Sequence, residues 1–259
     1  MPKSLKVLKV KDKSDKFTES MGSLIDLPMR VLICAKSGHG KSNLLTNIIL
    51  NKKFGYTNFF DSDDIHIIAP DIQGDEKLKI IIEAKDIPDH NLHEDYSDEM
   101  LLDLYEGFIE DYKEAVQEGV QPTQKLLIMD DLSWSGSFSK NRFNALSKLM
   151  CNSRKFLVSI IVLQQLYTHA TPTIKNNSSA IIVFNTNLAQ LEQIEQDNNY
   201  LKTKKEFIQM FRENIKEKHD FLCINYSNDY KELYLNSQFM PILNSLNNNN
   251  ETERDKKER

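Results

Sequence analysis

The chain has 259 residues, is 40% apolar and carries a formal charge of −5. That length suits one α/β domain with short extensions, and the acidic balance argues against a wholesale basic nucleic-acid coat protein, though not against touching DNA through a few loops. An odd set of three cysteines (Cys34, Cys151, Cys223), each in or beside an apolar run, reads as buried thiols in a reducing compartment.

Residues 1–25 form a basic arm, with Lys3, Lys6, Lys9, Lys11, Lys13 and Lys16 along its first part. Residues 1–16 could contact nucleic acid or a partner, but the favoured reading is a solvated, partly ordered tail. No secretory signal is visible, and no apolar run approaches the ~20 residues of a membrane span. The expectation is a soluble, intracellular protein.

The next segment carries the strongest signal. Arg30-Val31-Leu32-Ile33-Cys34 reads as a strand; Ala35-Lys36-Ser37-Gly38-His39-Gly40 is a tight loop; Lys41-Ser42-Asn43 opens a helix with apolar Leu44, Leu45, Ile48 and Ile49. Strand, glycine loop, Lys-Ser and helix make a phosphate-binding P-loop. Residues 35–43 would cradle the phosphates of ATP, because backbone N–H groups at a helix N-terminus form an anion nest. Gly38 and Gly40 keep Cβ atoms out of the way. Lys41 would bridge the outer phosphates, the Ser42 hydroxyl would ligate Mg²⁺, and His39 would mainly offer its amide. Ala35 stands where the pattern usually starts with glycine and is small enough to turn there.

Further along, Asp64-Ile65-His66-Ile67-Ile68-Ala69 reads as a short strand stopped by Pro70, and 71–100 as irregular and polar. An acidic helix covers 97–118, with Leu101, Tyr105, Phe108 and Tyr112 at helical spacing. Leu126–Met129 is a buried strand ending in Asp130-Asp131. Asp130 is placed to hold Mg²⁺, and Asp131 to orient or deprotonate the attacking water. A helix over about 140–152 leads to the strand 156–165. Its end bears Gln164 and Gln165; Gln165 is the favoured γ-phosphate sensor, with the choice resting on strand parity. Arg154, just before that strand, would project from the domain surface into a neighbour's site. The loop 132–140, with Trp134 and Lys140, is a candidate transmitter or DNA contact. After the strand 180–184 come helices at 188–198 and 203–218 and a hairpin across 221–235. Residues 26–243 form the ATPase domain and 244–259 a disordered polar tail. Several fully apolar strands alternating with helices imply an α/β fold with a mostly parallel sheet flanked by helices.

The order of these motifs resembles the FtsK–HerA superfamily of P-loop ATPases. The P-loop is followed by Leu-Leu-Ile-Met-Asp-Asp, Arg154, Val-Ser-Ile-Ile-Val-Leu-Gln-Gln, Pro172-Thr173-Ile174-Lys175-Asn176-Asn177 and Ala-Ile-Ile-Val-Phe. Within the superfamily the likeness is to viral DNA-packaging ATPases of the poxvirus-like, giant-virus and virophage group. It implies a RecA-like core with a C-terminal β-hairpin, and ATP hydrolysis coupled to moving double-stranded DNA into a preformed capsid. It also implies a hexameric or pentameric ring with Arg154 acting in trans, capsid vertex proteins as further partners, no membrane, and a place in the host cytoplasm, viral factory or virion. Lys175 stands where the family more often has arginine.

Two other readings stay open. One is a different P-loop ATPase, a helicase or AAA-type remodeller; the other is a nucleotide-gated assembly protein with little turnover. Asn185-Thr186-Asn187 lacks the lysine and aspartate of a guanine-reading motif, which leaves ATP as the default nucleotide. His90, His93, Glu94 and Asp95 lie in a polar segment without paired cysteines, a weak pattern for a metal site.

Overall fold

A computed structural model of the chain describes residues 17–131 and 144–242. The basic residues of 1–16, the loop 132–140 with Trp134 and Lys140, and the polar tail fall outside them. An eight-stranded sheet runs through the molecule in the order β3-β2-β4-β5-β1-β6-β7-β8. The strands are β1 Arg30–Cys34, β2 Ile65–Ile68, β3 Leu92–His93, β4 Lys125–Asp130, β5 Val158–Gln164, β6 Ala180–Phe184, β7 Phe221–Asn225 and β8 Tyr234–Leu235. The first six in that order pair in parallel; β6–β7 and β7–β8 are antiparallel.

The central strands are apolar throughout because both faces are covered. Alternate residues serve separate cores. Val31, Ile33 and Ala35 of the β1 segment join Leu44, Leu45 and Ile48 of α1 (Lys41–Leu50) on one face. Leu32 and Cys34 face the other side with Leu101, Tyr105 and Phe108 of α3 (Asp98–Glu118) and Phe207, Met210 and Phe211 of α7 (Lys204–Asn214). Helix ends follow side-chain chemistry. Ser97 caps α3, Gly119 closes it at φ 75°, and Thr203 with Glu206 forms a capping box on α7.

Three sequence expectations change. The segment 71–100 contains a regular helix, α2 (Glu76–Lys85), capped by Asp75, whose carboxylate accepts from the amides of Lys77 and Leu78. The last long helix stops at Asn214, and residues up to Asp220 form a turn instead. Cys151, at the end of α4 (Ala145–Asn152), is exposed, while Cys34 and Cys223 are buried. The segment before β1 is tied to the domain at Ile25, which is buried: its amide donates to the Tyr56 hydroxyl at 2.8 Å, and that hydroxyl donates back to the Ile25 carbonyl at 2.6 Å. Among the described residues no helix is long and apolar enough to cross a membrane.

Candidate nucleotide site

In a parallel sheet the loops that follow the strands gather at one edge, and there they line a cleft of roughly 600 Å³. The P-loop runs from β1 into α1. Gly38 (φ 73°) and Gly40 (φ 104°) take left-handed backbone, whereas Ala35 does not. The Ala35 amide still belongs to the sheet, donating to the Gln164 carbonyl at 3.0 Å, and its methyl group is buried. The position therefore asks for a small side chain and no unusual dihedral. α1 begins at Gly40 with no side-chain cap and no acidic residue in its first turn, so its end is left for an anion. The His39 amide, expected to face a phosphate, instead donates to the Lys36 carbonyl at 3.2 Å and closes the turn.

The second half of the site comes from β4. Lys41 Nζ lies 2.6 Å from Asp130 Oδ1, with both side chains largely shielded from solvent. Burial pushes the Asp130 carboxyl up from its ordinary value; Lys41 pulls it back, and Asp75 and Asp131 push it further up. Asp131 sits at φ 47°. Its amide continues the ladder to the Leu163 carbonyl (3.2 Å), and its Oδ2 accepts from Gln165 Nε2 at 2.6 Å. Strand parity decides between the two glutamines. Gln164 is fully buried, with both side-chain amide atoms unpartnered among the described residues, while Gln165 lines the cleft.

Lys41, Ser42, Asp130, Asp131 and Gln165 thus meet in one place, with Lys36, Ser37 and Asn43 on the rim. The donor set suits a hard divalent cation. Carboxylate oxygens gather there: Asp130 pairs with Lys41, Asp75 and Asp131 are near enough to act on its charge, and the Ser42 hydroxyl has no protein partner among the described residues.

Sequence reasoning passed over two walls. The first is the start of α2: Asp71, Asp75 and Glu76 line the cleft, and the Gly74 amide donates to Asp71 Oδ1 at 2.7 Å, which holds that carboxylate against the glycine. Asp75 followed by Glu76, before Leu78 and Ile81, was a readable cap signal. The second is His219, from the turn before β7.

Two singled-out basic residues lie elsewhere. Arg154 is at the opposite end of β5, beside Arg30 in a separate cavity. Seven residues of strand at ~3.3 Å each put it roughly 20 Å from its own chain's cleft. Lys175 is held within the fold. It pairs with Asp197 at 3.1 Å and lies 4.0 Å from the centre of the Tyr167 ring.

Comparisons with known proteins agree with this fold. The chain is similar in fold to the genome packaging NTPase B204 of Sulfolobus turreted icosahedral virus 2. The sulfate complex of that protein aligns with TM-score 0.54 and 16% identity over 77% of this chain and 93% of that one. Its ATP-gammaS complex gives 0.52 and 16% over 83% and 99%. B204, the DNA-packaging ATPase from Sulfolobus turreted icosahedral virus, gives 0.52 and 14% over 78% and 94%. No curated protein is a significant match. The family model of the poxvirus A32 protein matches residues 15–237. With that match spanning most of its length, the chain belongs to the poxvirus A32 protein family, the poxvirus-like packaging-ATPase group that its order of motifs resembles.

Proposed function

We propose that the protein is an ATPase that drives double-stranded DNA into a viral capsid as a ring of identical subunits. The observation carrying this reading is the union, in one open cleft, of Lys41 paired to Asp130 and Asp131 bonded to Gln165. A site that only held nucleotide would need the first pair and not the second.

Each residue then has a role. The P-loop amides and Lys41 bind the phosphates, and Lys41 exchanges its bond to Asp130 for the ligand. Ser42 and Asp130 would hold Mg²⁺, which when bound neutralises phosphate charge and polarises the phosphoryl oxygens. Asp131 takes a proton from the attacking water or orients it, and Gln165 fixes that carboxylate. Too far away to serve its own subunit, Arg154 completes the site of the next one around a hexameric or pentameric ring. DNA is gripped through its phosphates, so binding is insensitive to sequence and weakened by salt.

The test is ATP turnover with and without linear duplex DNA, alongside a mass measurement with a non-hydrolysable ATP analogue. DNA-stimulated turnover and an analogue-dependent ring support the reading. Good hydrolysis that ignores duplex DNA in both rate and binding overturns the motor assignment.

A further inference from the structure

The turn Lys216–Asp220 approaches the P-loop because β7 runs antiparallel to β6. Phe221 pairs with Phe184, which puts the start of β7 at the edge where the parallel strands end. Asp220 builds the turn. Its Oδ2 accepts from the amides of Glu217 (2.8 Å) and Lys216 (3.1 Å), its Oδ1 accepts from the Ser237 hydroxyl (3.0 Å), and its own amide donates to the Glu217 carbonyl (3.2 Å). These bonds, led by that from Glu217, hold its carboxyl below the usual range.

The turn so fixed offers two side chains to the loop. His219 Nδ1 lies 3.1 Å from the His39 carbonyl oxygen, and a Cβ on Gly40 would come within 3.1 Å of that nitrogen. An oxygen acceptor requires Nδ1 to carry its hydrogen. In a trans peptide the C=O and the following N–H point opposite ways. Tying the His39 carbonyl to His219 therefore turns the Gly40 N–H away from His219, and that amide has no backbone acceptor among the described residues. Lys218 Nζ lies 3.9 Å from where a Cβ of Gly38 would stand, and it forms no ion pair among the described residues.

We propose that this turn is a second phosphate-binding element of the cleft: Lys218 contacts the polyphosphate chain, and His219 is a positioning residue that aims the Gly40 amide at it. The inference rests on the ATP reading above. It assigns the turn a preference for nucleoside tri- and diphosphates over monophosphates.

The full chain is titrated with a fluorescent trinitrophenyl-ATP, and ATP, ADP and AMP are used as competitors, with thermal unfolding as a check on folding. Lys218→Ala is expected to weaken ATP and ADP about tenfold and AMP hardly at all, and Lys218→Arg to restore most of the loss. His219→Ala is expected to weaken ATP severalfold. His219→Asn, whose amide nitrogen takes the place of Nδ1, is expected to recover it, while His219→Gln is not. Equal losses for AMP and ATP in Lys218→Ala, or His219→Asn no better than His219→Ala, would overturn this proposal and leave the ATP reading standing. Wild-type protein that binds none of the three nucleotides overturns both.

Discussion

Lys41 and Asp130 illustrate how a working site strains against stability. A carboxylate at 6% exposure is poorly solvated, and its ionised form depends on the ammonium 2.6 Å away. Lys41→Ala leaves that charge buried and unmatched, and is expected to cost about 1–3 kcal/mol besides abolishing turnover. Adding Asp130→Asn should recover most of the stability and none of the activity. The pH dependence has a definite sign. Because the native carboxyl is raised above 3.8, the native state holds its proton more tightly than the unfolded chain. The penalty is absent below the ordinary range, grows as pH rises through the elevated pKa, and is then constant. Thermal midpoints of wild type and Asp130→Asn should converge in acid and separate towards neutrality. At this level most of the site was legible, since Lys41, Ser42, Asp130 and Asp131 belong to local patterns. His219 was not, because its role depends on a carbonyl 180 positions away.

Elements were legible where the chain gave a long uniform signal. β4, β5 and β6 are buried apolar runs, and α3 has a sustained stripe. α2 was missed because only Leu78 and Ile81 are buried in a polar stretch. At the far flank of the sheet, His66 of β2 stacks on His93 of β3 with ring centroids 6.1 Å apart. Burial first, then His93, lowers its pKa from 6.5 to about 4. This base is held neutral, so its contribution is complete above pH 6.5 and is lost as pH falls through about 4. His66→Leu should flatten the stability profile across that window while changing neutral stability by less than about 1 kcal/mol. A slope equal to wild type would place the acid sensitivity elsewhere. The sign is opposite to that for Asp130, so the two substitutions separate the effects.

For the whole molecule, the decisive fact is that Arg154 and the cleft lie at opposite ends of β5. Arg154→Ala is expected to keep nucleotide affinity within about twofold and to lower turnover by a factor of ten or more, the usual scale of an inserted arginine being larger still. Mixing it with Lys41→Ala should restore part of the activity, because some junctions in a mixed ring then have both an intact cleft and an intact arginine. Full activity of Arg154→Ala alone would make it an ordinary surface residue. This separation was legible in the sequence, because Arg154 precedes the apolar run of β5 and Gln165 follows it; that the far end of β5 lies beside the P-loop follows only from β5 pairing with β1.

The sheet itself limits how such subunits can meet. Its two outermost strands, β3 and β8, are two residues long, and Pro241 is bridged to Leu235 along the β8 side. Among the described residues, neither border offers a run of open amides on which another chain could extend the ladder. In the ring proposed above, neighbours would therefore be joined by side chains and loops, a seam that could open and reseal with each turnover without breaking the sheet. Rigidity would stay inside each subunit, and movement would be left to the joints.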